Sequence, residues 1–240
     1  MSQLQTKLIK FKLDSPSDVW DQEYTTYKVI PSSTRSLPSK ALVLFSDLIG
    51  FQNNLKVLDA GCGIGRNSVY LAEKGCEVHA VDFSKAALSK LDNLSKHAGV
   101  RERITLYNHS LVESFPFESN SFDLILDSYV FCHFVDEGLK QYYRDELNRV
   151  TKPGGIVFSS LFSVDDEYYE ELINQGNGRN KIVTDPHNGV TKQLYTEKEI
   201  KTFFSSLFTI LYFVKFQFTD IVLGKPYERS ILALILQKRL

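Results

Sequence analysis

The chain has 240 residues, 43% of them apolar, and a formal net charge of -1. That length and composition can bury a full core in one large domain or two small ones. The balanced charge gives no bias toward nucleic acid or an anionic membrane, and no run of 18 apolar residues predicts a membrane-spanning helix. The first twelve residues lack a signal-peptide core. Three cysteines, Cys62, Cys76 and Cys132, without CxxC spacing, argue against a disulfide framework or zinc site and fit a cytoplasmic location.

The first forty residues carry Trp20, Tyr24, Tyr27, Pro31 and Pro38, and a helix is expected from about Ser39 to Ile49. Regular alternation then begins. Lys56 to Ala60 reads as a buried strand, followed by a helix to about Gly75, a good helix stop. Glu77 to Asp82 is a second strand. Ser84 caps a helix running to about His97, which Gly99 ends. Ile104 to Asn108 and Phe122 to Tyr129 are the third and fourth strands. Asp136 to Thr151 has helical periodicity, and Pro153-Gly154-Gly155 breaks it ahead of a strand from Ile156 to Leu161. Residues 163 to 195 are polar, and so long a connection is more often a lid or specificity loop than a turn. A helix from Glu197 follows, then strands over Ile210 to Phe218 and Ser230 to Gln237, joined near Gly224-Lys225-Pro226.

Strand and helix alternation of this kind implies a mostly parallel sheet covered on both faces. Ligands of such sheets bind beyond the carboxyl ends of the strands, and Asp59, Asp82 and Asp127 all sit there.

The most informative run is Val57-Leu-Asp-Ala-Gly-Cys-Gly-Ile-Gly65. A dinucleotide site wants G-x-G-x-x-G with amides facing a pyrophosphate. Here the third glycine comes one residue early, at Gly65, and Arg66 holds the dinucleotide position. The preceding Asp59 would repel a pyrophosphate but can pair with an ammonium. That favours a cofactor bearing an amino acid.

With Val81-Asp-Phe-Ser84, Pro116-Phe117, Asn120-Ser-Phe-Asp123 and Leu147-Asn-Arg-Val-Thr-Lys-Pro-Gly-Gly155, the run resembles the class I S-adenosylmethionine-dependent methyltransferases over about residues 55 to 162. The resemblance implies a Rossmann-like, doubly wound α/β/α fold. Its seven-stranded, mostly parallel sheet would carry an antiparallel C-terminal strand. It implies one domain over 1–240, with an N-terminal cap over 1–50 and a lid over 163–195. The cofactor would be S-adenosyl-L-methionine, leaving S-adenosyl-L-homocysteine. By position, Asp59, Gly61, Cys62 and Gly63 would hold the methionine moiety. Asp82 would accept the ribose hydroxyls and Phe83 would pack on adenine. Ser110 and Leu111, within about His109 to Val112, would flank the adenine edge. Asp127 and Ser128 would line the reacting methyl group.

Gly65-Arg-Asn-Ser-Val-Tyr-Leu-Ala72 and Ser33-Thr-Arg35-Ser also resemble the tellurite-resistance type of small-molecule methyltransferase. There an N-terminal arginine reaches the cofactor carboxylate, which makes Arg35 the candidate. Gln217-Phe218 stands where those relatives carry His-Arg, which speaks against tellurite or selenite as acceptor.

His133 is the candidate base, just past the fourth strand; its other reading is a packing or helix-start histidine. Trp20, Tyr24 and Tyr27 are read either as a cap over the pocket or as ordinary packing of the N-terminal arm. Tyr168 and Tyr169 carry the same two readings in the lid, and Asp165-Asp166-Glu167 is read as a solvated charge run. No Asn/Asp-Pro-Pro-aromatic run follows the fourth strand, so a flipped base is not the expected acceptor. The expected partner is a small molecule, with neither nucleic acid nor membrane, and no metal. The alternatives are a non-catalytic S-adenosylmethionine-binding module or scaffold and a nicotinamide-dependent oxidoreductase.

Overall fold

The computed structural model describes residues 16–27, 29–49 and 54–239. Part of the cap expected over 1–50 lies outside the described residues, as does the side chain of Tyr27.

Seven strands make the main sheet: β1 (Lys56–Ala60), β2 (Glu77–Asp82), β3 (Ile104–Asn108), β4 (Phe122–Ser128), β5 (Thr151–Phe162), β9 (Phe208–Val222) and β10 (Lys225–Lys238). Three short strands, β6 (Gly178–Arg179), β7 (Ile182–Thr184) and β8 (Thr191–Gln193), form a second sheet. The main sheet runs β3-β2-β1-β4-β5-β10-β9. The pairs β1–β2, β2–β3, β1–β4 and β4–β5 are parallel, and β10 is antiparallel to both of its neighbours. The expected fold class is therefore the one found.

Helices cover both faces. On one face, α3 (Lys40–Ile49), α4 (Arg66–Glu73) and α5 (Lys85–His97) bury Leu42, Phe45, Val69, Leu71, Leu88 and Leu91 against the sheet. On the other, α6 (Glu137–Val150) and α8 (Glu197–Phe204) bury Tyr143, Leu147, Val150, Ile200 and Phe204. Local chemistry sets the helix starts. Ser84 and Asp136 accept the amides of Ala87 and Leu139 as N-caps, and Thr196 with Glu199 forms a capping box. Chain order reverses between β1 and β4, so the crevice beyond their carboxyl ends is a topological switch point.

Three elements differ from expectation. β5 begins at Thr151, before Pro153-Gly154, because the β4–β5 ladder absorbs those residues in an irregularity between Phe122 and Leu124. The β9–β10 hairpin extends to Val222 and Lys225, turning on Leu223 and Gly224 alone. Both have positive φ, as a two-residue hairpin turn needs. Residues 163–195 have structure of their own. α7 (Glu167–Leu172) and the small sheet enclose Tyr168, Tyr169, Leu172, Val183 and Leu194, which pack on Val222 and Tyr227. The N-terminal segment adds α1 (Pro16–Gln22), a π-turn over Glu23–Tyr27 and α2 (Pro31–Thr34).

Candidate active site

The glycine turn is built by β1 and fixed by β2. The amides of Gly61 and Cys62 both donate to the carbonyl of Val81, at 2.8 and 2.9 Å. Gly61, Gly63 and Gly65 all have positive φ, which a side chain resists. Close packing reinforces the choice of glycine: a Cβ on Gly63 would stand 2.8 Å from the Tyr24 hydroxyl. The amide of Gly63 donates to the Asp82 carboxylate at 2.8 Å, and that of Ser84 donates to its other oxygen at 2.8 Å.

This turn opens onto a cavity of about 680 Å³. Of the residues expected from sequence, Arg35, Gly61, Cys62, Gly63, Asp82, Phe83, Ser110, Leu111, Ser128 and His133 line it. Trp20 and Tyr24 also line it, their rings stacked 5.5 Å apart, so the N-terminal segment does close one wall. Its attachment is buried. Glu23 is fully buried and accepts from the Ile30 amide and Ser33 hydroxyl, both at 2.7 Å, and from the Asn188 side chain at 3.3 Å.

Two expected residues lie outside the cavity wall. The Asp59 carboxylate accepts from the Ser68 hydroxyl at 2.5 Å, in the first turn of α4, where a carboxylate suits the free amides and the helix dipole. Asp127 accepts from the Ser159 hydroxyl at 2.7 Å and from the amides of Val130 and Phe131. Successive strand residues point to opposite faces, so Ser128 reaches the cavity and its neighbour Asp127 does not. Burial raises the Asp59 carboxyl to about 7, and the Asp82 and Asp127 carboxyls to about 6.

Arg35 lines the cavity but is already held. Its two terminal nitrogens donate to the two oxygens of Asp220 at 3.0 and 2.7 Å. His133 lines the cavity with one ring nitrogen held by the backbone. Its Nδ1 is 2.9 Å from the Thr191 carbonyl, an acceptor, so that nitrogen carries the proton. Burial, with the nearby charge of Lys192, lowers the imidazole to about 3. Nε2 makes no hydrogen bond among the described residues, and the ring stands edge-on to Trp20 at 5.1 Å. The charge run expected at 165–167 is corrected at its middle residue, Asp165 and Glu167 being exposed as expected. Asp166 is fully buried and pairs with Arg229 at 2.9 Å.

Among the cavity residues to which the sequence reading gave no role are Arg66, Lys192 and Arg229. Arg66 opens α4 directly after the glycines, and its one hydrogen bond among the described residues is a long one of 3.4 Å to the Leu37 carbonyl. Arg229 could have been noticed as a cation flanking the apolar run of β10. Lys192 leaves no such signal, because only folding of the 163–195 segment brings it inward.

The sequence matches the family described as Methyltransferase domain over residues 57–155. Over those residues, fewer than half of the chain, the sequence resembles the class I, S-adenosylmethionine-dependent methyltransferases. The chain is similar to curated relatives and to solved structures. One is a malonyl-[acyl-carrier protein] O-methyltransferase of Buchnera aphidicola, 34% identical over 55% of this chain and 51% of that one. Another is a probable thiol methyltransferase of Arabidopsis thaliana, 27% identical over 64% of this chain and 74% of that one. The chain spans about half the length of the Buchnera relative. The fold matches that of 1,6-didemethyltoxoflavin-N1-methyltransferase from Burkholderia thailandensis, with a TM-score of 0.70 and 20% identity. That match covers 95% of this chain and 92% of the other.

Proposed function

We propose that the chain transfers a methyl group from S-adenosylmethionine to a small-molecule acceptor, leaving S-adenosylhomocysteine. The observation that carries the reading is the convergence of Asp82, the Gly61–Gly63 turn and Ser110-Leu111 on one cavity at the switch point.

The donor set suits this cofactor. Each Asp82 oxygen accepts one backbone amide and keeps a lone pair directed elsewhere, so the carboxylate can accept the ribose hydroxyls. Phe83, Ser110 and Leu111 supply the surface for adenine. Arg66, with no carboxylate partner among the described residues, suits the cofactor carboxylate better than Arg35, which Asp220 holds. The 680 Å³ cavity leaves room for a small acceptor beside the cofactor.

When bound, the cofactor supplies an activated methyl group on a sulfonium. The protein's task is then to align the acceptor and exclude water, and positioning of this kind lowers a barrier by roughly 7–11 kcal/mol. The N-terminal segment and the 163–195 segment serve as the cap and lid. The described relatives are named for oxygen, thiol and nitrogen methylation, so likeness does not fix the acceptor atom.

Calorimetry with S-adenosylmethionine and S-adenosylhomocysteine tests the cofactor half; no binding of either at millimolar concentration overturns it. Consumption of S-adenosylmethionine in a metabolite extract, dependent on the protein, tests turnover. Binding without consumption by any extract would leave a non-catalytic binding module.

A further inference from the structure

Two cations in the cavity wall, Lys192 and Arg229, are not among the residues assigned above to the cofactor. Lys192, on β8, is 2% exposed, and Arg229, on β10, is 6% exposed; both line the cavity. They share two aromatic rings. The Lys192 ammonium lies 5.4 Å from the centre of Phe162 and 4.9 Å from that of Tyr169. The Arg229 guanidinium lies 5.5 and 5.3 Å from the same two centres. Phe162 in turn stacks on Tyr129 at 4.8 Å, and Tyr129 follows Ser128 in the cavity wall.

Their compensation is unequal. Arg229 uses Nε for Asp166, while its two terminal nitrogens make no hydrogen bond among the described residues. Lys192 donates to the Tyr169 hydroxyl, a neutral partner, at 3.0 Å, and makes no ion pair among the described residues. The carboxylate of Asp185 acts on Lys192 only at a distance, since it accepts instead from the Tyr168 hydroxyl and the His187 amide. A buried ammonium facing rings and a hydroxyl is stabilised strongly by an anion placed against it. Two free guanidinium nitrogens add a fork that matches two anionic oxygens.

We propose that Lys192 and the free edge of Arg229 form an anion subsite, so that the methyl acceptor is a small organic molecule bearing a carboxylate or phosphate. This rests on the methyltransferase reading for the acceptor's role, though the subsite stands on its own geometry. Phe162 and Tyr129 provide the surface for the acceptor's apolar part. The anion sets its orientation, and the atom to be methylated lies elsewhere on the molecule. β8 belongs to the 163–195 segment, so the segment reads the charge of what it covers.

The test is calorimetry on the full chain. S-adenosylhomocysteine is titrated first. At its saturation, two matched pairs follow: benzoate against benzamide, and phenyl phosphate against phenol. The expected result is at least tenfold tighter binding of the anion in one pair, and that pair tells carboxylate from phosphate. Lys192→Met should reduce the preference below twofold and Lys192→Arg should keep it, with circular dichroism checking both folds. No preference in either pair, including no binding by all four probes, overturns the proposal. So does a preference that survives Lys192→Met. Failure of S-adenosylhomocysteine to bind would count against the cofactor reading alone, and the pairs would then be judged by the same criteria on the free chain.

Discussion

The Gly63 amide donates to the Asp82 carboxylate at 2.8 Å, joining the turn after β1 to the end of β2 across nineteen residues of chain. The bond sets the side chain that faces the cavity and the backbone that bounds it in one fixed relation. Asp82→Ala removes the proposed acceptor for the ribose diol. Hydrogen bonds to a charged group contribute about 1.5–3 kcal/mol, so S-adenosylhomocysteine should bind at least tenfold more weakly, by calorimetry, with the fold retained.

The same carboxylate gives the affinity a pH dependence. Burial first of all raises it to about 6 in the free protein. Donation from two ribose hydroxyls favours the ionised form, so the bound value lies lower. Binding should therefore release a proton between the two values, and affinity should fall as pH drops through about 6. Asp82→Asn should flatten that limb. A wild-type affinity independent of pH between 5 and 7.5 would contradict it.

Stability should respond to pH in the same region. Asp59 and Asp127, like Asp82, have folded values raised above those of an unfolded carboxylate, to about 7 and about 6. The folded state then binds more protons than the unfolded state between about pH 4 and 7. Their contribution to stability therefore declines as pH rises through that window. Asp59→Asn should reduce the decline, read as denaturation midpoints at pH 5 and pH 7.5.

Asp166 and Arg229 form a buried pair, 0% and 6% exposed. Removing one member of such a pair costs about 3–5 kcal/mol, because the other is left buried and unpaired. Asp166→Ala should lower stability by that order in urea denaturation. Asp165→Ala, at an exposed pair with Lys215, should change it by less than about 1 kcal/mol.

Glu23 ties Ile30 and Ser33 of the N-terminal segment to Asn188 of the 163–195 segment. Glu23→Ala should speed amide exchange in residues 29–34 and 185–190 together, measured by hydrogen–deuterium exchange. Faster exchange in one segment alone would show that the two are not coupled through this carboxylate.

The glycine turn shows how much was legible locally. Gly61, Gly63 and Gly65 need positive φ, and any residue with a side chain resists it, so the turn is written in composition. The strand and helix order was legible for the same reason: caps at Ser84 and Asp136 and the stop at Gly75 act within a few residues. From those, the carboxyl-end position of Asp82 follows, whereas Phe83, Ser110 and Leu111 were implied by the family resemblance.

Direction and distance were not local. Asp59 and Asp127 looked like cavity residues because they end strands. Their carboxylates instead meet Ser68 and Ser159, and which face each strand turned was decided by packing. The proton affinity of His133 is likewise set from afar: burial beside Lys192, 59 positions along the chain, lowers it. Asp166 looked solvated until β10 brought Arg229 against it. The sequence by itself determined the sheet and the turn, because caps, glycines and periodicity act over a few residues, while the cofactor expectation came from the family resemblance. Only the tertiary structure decided which charges are buried, paired or left facing the cavity, because solvation and Coulomb energies depend on distances that long-range packing sets.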